Sequence, residues 1–257
     1  MMERLVKTKI LKKKEIANGI FEFVIEANGE LKNSKAGQFV NVKCGKDTYL
    51  RRPISICEIT SEAIRIIFQV RGKGTKALSE FNEGDILDVL GPLGGTGFSV
   101  NKEYNNPVVI GGGIGIYPLL QVAKETNANA ILGFRNKDFV TLEDDFQRVS
   151  KKLFLTTDDG SYGKKGLVTE VLEMLIENEE VDAIFACGPT PMLKAVVKIA
   201  KEKGIYAEVS LEERMGCGIG ACLCCATKIE DSALEEGYKY LHVCSHGPVF
   251  NAKEVVL

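Results

Sequence analysis

Residues 107–123, which read PVVIGGGIGIYPLLQVA, establish the fold class. The apolar run from Pro107 to Ile110 predicts a buried strand, and the apolar residues from Ile116 onward recur at helical spacing. Glycines in the turn between them let the backbone approach a phosphate, which the start of the following helix attracts. The stretch therefore predicts a nucleotide-binding strand–turn–helix unit. Its candidate contacts are Gly111, Gly112, Gly113 and Gly115.

The alternation of strands and helices continues downstream. Further strands are predicted near residues 130–132, 153–156, 183–186 and 207–211, and helices near 168–176 and 192–200. This order is typical of a doubly wound parallel sheet, which binds ligands at the carboxyl ends of its strands. Cys187, Gly188 and Pro189 end one of these strands. Asp158 or Asp159 could bind a ribose hydroxyl at the same edge, although a solvated turn explains the pair equally well.

The dinucleotide that this domain would bind is left open. The turn lacks the G-x-G-x-x-G fingerprint, and the second strand ends in Gly133-Phe-Arg-Asn-Lys137 without an acidic residue. Arg135 and Lys137 could favour a 2′-phosphate. NAD and NADP are therefore both candidates.

The region before the glycine-rich turn has a different pattern. Residues 21–25 and 64–70 alternate between apolar and more polar side chains, which predicts strands with one buried face. Glycine-containing turns separate several such runs, as in a small antiparallel barrel. Arg51-Arg52-Pro53-Ile54-Ser55 and Gly72-Lys-Gly74-Thr75 offer cations and backbone N–H groups to a phosphate, and the alternative is that the arginines form a charged barrel edge. Together they indicate a second nucleotide cofactor.

The cysteines favour a metal centre. Five of the eight lie between positions 217 and 244, and Cys217, Cys222, Cys225 and Cys244 have the C-x4-C-x2-C…C spacing of plant-type [2Fe–2S] sites. Cys224 is left over. Structural zinc is the nearest alternative, but zinc sites usually pair two Cys-x-x-Cys knuckles and only one is present. A Rieske centre would need two histidine ligands, which the four cysteines make unnecessary.

Composition limits the function classes. The chain has 257 residues, 45% of them apolar, and a formal net charge of −2. This charge gives no electrostatic basis for binding nucleic acid or an anionic membrane, and no apolar run is long enough to span a bilayer. Clustered cysteines without a secretory signal favour a cytoplasmic protein over a disulfide-bonded one. We expect three domains, at residues 1–100, 101–211 and 212–257.

These motifs resemble the ferredoxin–NADP reductase-like flavoproteins and, within them, the electron-transfer subunits of type B dihydroorotate dehydrogenase. Arg52-Pro-Ile-Ser55 and Gly74-Thr75 are similar to the family's FAD motifs, with Ile54 where many relatives have an aromatic residue. Residues 111–115 and 187–189 resemble its pyridine-nucleotide loops. Residues 213–225 and 244–250 resemble its iron–sulfur segment, although His246 stands where Asp is usual. The resemblance covers the whole chain.

The resemblance implies an antiparallel FAD-binding barrel, a Rossmann-like sheet and a small C-terminal [2Fe–2S] domain. The implied FAD contacts are Arg52, Pro53, Ile54, Ser55, Ile67, Phe68, Gln69, Gly74 and Thr75. It further implies that Cys217, Cys222, Cys225 and Cys244 ligate the cluster, and that the pyridine nucleotide is NAD. No side chain is expected to act as a substrate-specific acid, base or nucleophile, because the cofactors carry the chemistry.

The implied activity is that of an oxidoreductase subunit in pyrimidine biosynthesis. Electrons would pass from dihydroorotate through the FMN of a catalytic partner chain, [2Fe–2S] and FAD to NAD⁺. The assembly would be a heterotetramer with two copies of each chain. An NAD(P)H:ferredoxin, sulfide dehydrogenase or electron-bifurcating subunit is an alternative with the same cofactors. A zinc-stabilised nucleotide-binding module is a third.

Overall fold

In the computed structural model, which describes residues 4–257, the N-terminal alternation folds into a closed antiparallel barrel. Its strands follow the order β1-β2-β5-β4-β3-β6. They are β1 (Leu5–Ala17), β2 (Ile20–Glu26), β3 (Phe39–Val42), β4 (Arg52–Ile59), β5 (Ala63–Gln69) and β6 (Ile86–Leu93), with helix α1 (Lys73–Ser79) between the last two. Inward residues such as Phe23 and Ile66 are fully buried. The rings of Phe23 and Phe68 pack edge to face with centroids 5.2 Å apart.

A seven-stranded sheet follows, in the order β10-β9-β8-β7-β11-β12-β15. Its strands are β7 (Pro107–Gly112), β8 (Asn129–Phe134), β9 (Leu153–Thr157), β10 (Lys164–Lys165), β11 (Ala183–Cys187), β12 (Tyr206–Ser210) and β15 (Val249–Asn251). All are parallel except β15, which runs antiparallel to β12. The helices are α2 (Leu119–Thr126), α3 (Glu143–Val149), α4 (Val168–Asn178) and α5 (Thr190–Lys203). The predicted doubly wound sheet is therefore confirmed.

The strand order reverses between β7 and β11. The chain proceeds from β7 to β8 and β9 on one side, and places β11 and β12 on the other. A crevice opens at such a switch point, outside the carboxyl ends of the strands. The predicted nucleotide turn and the Cys-Gly-Pro turn both lie at this crevice, because they directly follow β7 and β11.

The C-terminal segment packs against both larger units. It forms a hairpin of β13 (Ala226–Glu230) and β14 (Tyr238–His242), and its last strand, β15, extends the large sheet. At the barrel, the N–H of Gly94 donates to the carbonyl of Cys244 at 3.2 Å and the N–H of Gly95 to that of Gly247 at 2.5 Å. A Cβ on Gly95 would lie 2.6 Å from the carbonyl oxygen of His246, so this contact requires glycine.

The barrel and the sheet share an apolar interface and a charged one. Ile20, Cys57 and Ile67 of the barrel belong to the same buried cluster as residues of α2. Beside it, Arg65 on β5 pairs with Glu22 on β2 and with Asp145 on α3, the latter at 3.1 Å. The Arg65 side chain is only 14% exposed, so these ion pairs are largely screened from water. No helix within residues 4–257 is long and apolar enough to cross a membrane.

Replacing Arg65 by methionine should lower the free energy of unfolding by about 2–3 kcal/mol, because it leaves half-buried carboxylates without their shared cation. Urea unfolding followed by circular dichroism would measure this change. Arg148→Met is the matched control, since Arg148 also pairs with Asp145 but is 69% exposed. We expect it to cost less than about 0.5 kcal/mol. Equal losses in the two variants would contradict the proposed role of Arg65.

Candidate functional site

The four cysteines with cluster spacing come together between the barrel and the hairpin. The loop after β12 carries Cys217, Cys222 and Cys225, and Cys244 lies in the turn that follows β14. Cys225 and Cys244 are each 1% exposed, whereas Cys217 and Cys222 are partly exposed. The fold therefore brings cysteines that are up to 27 positions apart in the sequence, from 217 to 244, into one group of loops.

Backbone N–H groups point at these sulfurs. The Sγ of Cys217 accepts from the N–H of Ile219 at 3.4 Å and from that of Cys222 at 3.3 Å. The Sγ of Cys244 accepts from the N–H of Gly220 at 3.2 Å. Such donors stabilise thiolates and tune the reduction potential of an iron–sulfur centre. The sulfurs of this loop therefore accept hydrogen bonds of the kind that metal-binding cysteines accept.

Neighbouring groups shift the pKa values of two of these thiols. Burial alone would raise the pKa of the Cys217 thiol, but the N–H groups of Ile219 and Cys222 and the Cys222 side chain lower it well below its ordinary value. Burial raises the pKa of Cys244, and the adjacent Cys225 side chain adds to this effect. Cys222 therefore lies near Cys217, and Cys225 lies near Cys244.

The remaining candidate ligands are placed differently. Cys224 is exposed. The rings of His242 and His246 stack with centroids 6.0 Å apart. Across residues 4–257, no three His, Cys, Asp or Glu side chains converge closely enough to hold a single metal ion.

One buried amide of the barrel lies against the cysteine loop. Asn41 on β3 is 1% exposed, and its Oδ1 has no hydrogen-bond partner in the described part of the chain. A Cβ on Gly218 would lie 2.5 Å from its Nδ2, and Gly218 has φ +73°. Glycine is therefore required next to Cys217, because the backbone has a positive φ there and because a side chain would clash with Asn41. Neither Asn41 nor this contact was expected, because residue spacing carries no information about which barrel strand meets the loop.

A cavity of about 620 Å³ opens between the barrel and the carboxyl edge of the sheet. Six of the predicted nucleotide contacts line it, namely Gly112, Gly113, Gly115, Asp158, Gly188 and Pro189. Arg135 lines it as well, beside Asp158, whereas Lys137 and Asp159 are not part of the lining. The structure therefore brings the two nucleotide loops together at the switch point.

Two other predicted nucleotide residues lie behind the cavity wall. A Cβ on Gly111 would lie 3.0 Å from the Cα of Ile116, so Gly111 allows close packing of strand and turn. Cys187 is 2% exposed, and burial raises the pKa of its thiol to about 12, with Glu212 adding to the effect. Glu212, which follows β12, does line the cavity. Sequence reasoning missed it, although its position after a parallel strand places it at the ligand-binding edge.

The two adjacent arginines of the barrel have different roles. Arg51 forms an ion pair with Asp88 at the barrel edge, with Nη2 and Oδ1 2.6 Å apart. Arg52 instead turns to the start of α1, where a Cβ on Gly74 would lie 2.5 Å from its Nε. The Thr75 hydroxyl accepts from the N–H of Arg71 at 2.9 Å and orders the same turn. A guanidinium above a tight glycine turn fits a cofactor phosphate.

The neighbouring strand contributes one side chain to the cavity. Phe68 packs inside the barrel, and Ile67 packs in the interface with the sheet. Ile54 also belongs to the barrel core, whereas Pro53 and Ser55 are partly exposed. Of the three predicted β5 contacts, only Gln69 lines the cavity. The predicted contacts Ile67 and Phe68 do not line the cavity.

Comparison with known proteins gives two family matches. Residues 212–256 match the iron-sulfur cluster binding domain of dihydroorotate dehydrogenase B, and residues 109–198 match an oxidoreductase NAD-binding domain. The chain is 42% identical to the dihydroorotate dehydrogenase B (NAD(+)) electron transfer subunit of Caldanaerobacter subterraneus subsp. tengcongensis, over 98% of each chain. It is 40% identical to the subunit of the same name from Bacillus cereus, over 96% of this chain and 97% of that one.

Solved structures agree with these matches. An NADH-dependent reduced ferredoxin-NADP oxidoreductase, studied for flavin-based electron bifurcation, is 34% identical, with a TM-score of 0.84 over 97% of this chain and 89% of that one. A ferredoxin NADP+ reductase from Neisseria gonorrhoeae with bound FAD and NADP is 19% identical, with a TM-score of 0.64 over 79% of this chain and 93% of that one. The second comparison shows a shared fold.

Gly218→Ala should weaken the cysteine loop, because the new methyl group would clash with Asn41. Gly237→Ala is the control, since Gly237 has a similar φ of +72° but no atom within 4 Å of its Cβ position. We expect Gly218→Ala to cost about 1–3 kcal/mol more than the control and to lower iron and sulfide per chain. Adding Asn41→Ala should recover part of that loss. Identical behaviour of the two single variants would refute the contact.

Proposed function

The chain belongs to the family of dihydroorotate dehydrogenase B electron-transfer subunits, and on this premise we propose how its residues connect a catalytic partner with NAD⁺. It is an oxidoreductase subunit that contains iron–sulfur-binding and NAD-binding regions. We propose that electrons pass from the FMN of the partner through [2Fe–2S] and FAD to NAD⁺. When bound, FAD exchanges a hydride with a nicotinamide and single electrons with an iron–sulfur cluster.

One observation carries this proposal: the barrel contacts both other sites. Its residues Ile20, Gln69 and Arg71 line the dinucleotide cavity, and its residue Asn41 lies against the cysteine loop. A cofactor held by the barrel would therefore lie between the nicotinamide and the cluster. This order is the one that an electron-transfer chain requires.

The proposed FAD-binding role of the barrel follows from its polar groups. Arg52, Gly74 and Thr75 would hold the phosphates, because their guanidinium and ordered turn lie together and Arg51 is already paired. Pro53, Ile54 and Ser55 continue the same strand towards the sheet. Gln69 would offer its side chain to the flavin, and Ile67 and Phe68 their backbone.

The proposed cluster ligands are Cys217, Cys222, Cys225 and Cys244. The N–H groups of Ile219, Gly220 and Cys222 would stabilise negative charge on the sulfurs, and burial of Cys225 and Cys244 would exclude water from one side. In the cavity, Gly112, Gly113, Gly115, Gly188 and Pro189 would hold the dinucleotide, and Asp158 would accept from a ribose hydroxyl. Gly111 and Cys187 would not contact the dinucleotide. They lie behind the cavity wall, where they would allow the strands and turns that form the wall to pack closely.

The partner follows from the family. An electron-transfer subunit serves a catalytic subunit, and we propose that this subunit contains FMN, oxidises dihydroorotate and forms a heterotetramer with two copies of each chain. We further propose a cytoplasmic location, because the cysteines have metal-site spacing and no disulfide pairing.

A second candidate is an electron-bifurcating subunit with the same cofactors. Its support is the 34% identity to the NADH-dependent reduced ferredoxin-NADP oxidoreductase. The two candidates differ in the partner. Orotate-dependent oxidation of NADH, on addition of an FMN-containing dihydroorotate dehydrogenase chain, would select the first.

The purified chain should bind both flavin and iron. Anaerobic addition of NADH should bleach the flavin absorbance and produce the electron paramagnetic resonance signal of a reduced [2Fe–2S] cluster. Cys222→Ser should abolish that signal and partner-dependent turnover but keep flavin bleaching, because the cavity is separate from the loop. Cys224→Ser, on an exposed neighbour, should retain the signal. A colourless protein with stoichiometric zinc would refute the proposal, and loss of the cluster in Cys224→Ser would refute the ligand assignment.

A further inference from the structure

One buried side chain of the barrel has unused hydrogen-bonding groups. Among the described residues up to position 100, the buried polar residues are Thr8, Gln38 and Asn41. The hydroxyl of Thr8 and both ends of the Gln38 amide are paired with backbone groups. The hydrogen bonds of Asn41 within residues 4–257 are made by its backbone, and its side-chain oxygen has no partner. Its amide is therefore buried without the pairing that the other two have.

The backbone fixes the direction in which Asn41 points. Asn41 pairs with Pro53 on β4 and with Leu90 on β6, so the strand is held on both sides. Its neighbours Val40 and Val42 belong to the core of the barrel. Because successive side chains of a strand point to opposite faces, the side chain of Asn41 lies on the outer face.

The outer face at Asn41 is covered by the cysteine segment. Leu93, at the end of β6, belongs to the same buried apolar cluster as Cys225 and Cys244. A Cβ on Gly218 would lie 3.5 Å from the Cδ1 of Leu93 and 2.5 Å from the Nδ2 of Asn41. An unpaired amide in such apolar surroundings lowers stability, whereas a leucine of similar size would not. The position of this amide therefore indicates a hydrogen-bond partner that the chain does not supply.

The cysteine loop is where such a partner would be bound. Cys217 directly precedes Gly218, and its Sγ already accepts from the N–H groups of Ile219 and Cys222. The sulfurs of an iron–sulfur centre carry negative charge and accept further N–H donors. A donor raises the reduction potential, because the reduced centre has one more negative charge to stabilise.

Both ends of the Asn41 amide can be satisfied at this position. Rotation about the terminal bond of the side chain exchanges its oxygen and its N–H₂ group. An oxygen placed against Gly218 receives the weak Cα–H donor of that glycine. The N–H₂ group is then available to an acceptor bound by the loop.

We propose that the side-chain amide of Asn41 donates a hydrogen bond to a sulfur of the iron–sulfur centre and thereby raises its reduction potential. This inference rests on the proposed function, since it takes the cysteine loop as the site of the cluster. It makes the barrel more than a support for the loop, because a barrel side chain sets how readily the neighbouring one-electron carrier is reduced.

The first test measures the midpoint potential of the cluster in the full chain loaded with FAD and iron–sulfur cluster, by a redox titration followed by electron paramagnetic resonance. Asn41→Leu keeps the size of the side chain and removes its donor. At the midpoint potential of the wild type, the ratio of reduced to oxidised cluster should fall about three- to tenfold in the variant, the effect of losing one hydrogen bond. For a one-electron couple this is a decrease of roughly 30–60 mV.

The second test detects the contact itself. A chain produced with asparagine that carries ¹⁵N in its side-chain amide should show coupling between ¹⁵N and the reduced cluster in pulsed electron paramagnetic resonance. Asn41→Leu should lose this coupling. A purely structural role of Asn41 would not bring a labelled nitrogen within reach of the unpaired electron.

Two further variants separate this effect from general destabilisation. Thr8→Val also removes a hydrogen-bonding group that is 1% exposed in the barrel, but the partner of that hydroxyl is the carbonyl of Glu26. It should leave the midpoint potential of the cluster unchanged. Asn41→Ala should lower the potential as Asn41→Leu does, and it replaces that variant in both tests if leucine prevents cluster assembly.

Several results would overturn the inference. These are an unchanged cluster potential in the Asn41 variants, an equal shift in Thr8→Val, or no ¹⁵N coupling in the wild type. A shift confined to the flavin potential would show that the amide faces the flavin, and would overturn it as well. In each of these cases the proposed function still stands. If the wild-type chain binds zinc in place of a [2Fe–2S] cluster, the proposed function itself fails, and the inference fails with it.

Discussion

The close backbone contact between the barrel and the C-terminal segment is the constraint on which the other sites depend. Gly94 and Gly95 at the end of β6 hydrogen-bond to the carbonyls of Cys244 and Gly247, at distances that only glycine allows. Gly218 makes a second close contact, with Asn41 on β3. These contacts place a loop that is too small to have its own core on a rigid barrel. Without them the cysteines would have no fixed relation to a barrel-bound cofactor.

The orientation of the sheet is the second constraint. Ile67 and Cys57 pack in the core shared with α2, and Arg65 ties β5 to α3. The carboxyl edge of the sheet consequently faces the barrel across the cavity and not the solvent. A nicotinamide at this edge and a flavin on the barrel would meet face to face, which a hydride transfer requires. Stability and function therefore depend on the same interface.

Sequence reasoning predicted the elements better than their contacts. The period-two alternation of residues 21–25 and the strand–turn–helix pattern of residues 107–123 depend on local physics, so the barrel strands and the parallel sheet followed from them. Cysteine spacing likewise predicts the four cluster ligands, and this assignment stays a prediction. The sequence patterns did not predict that β15 extends the sheet, that Arg51 forms an ion pair with Asp88, or that Asn41 contacts Gly218. Each of these depends on tertiary packing between distant segments, which leaves no periodic signal.

Chain connectivity links the cavity to the cysteine loop. Glu212 lines the cavity, and Cys217 follows five positions later, so their backbones are separated by at most about 18 Å. The barrel lies at both ends of this short segment, with Arg71 in the cavity lining and Asn41 against the cysteine loop. One strand end of the sheet therefore contributes a residue to the cavity and continues into the cysteine loop. The segment sets an upper limit on the separation of the cavity and the cysteine loop, and a flavin held by the barrel would lie beside both.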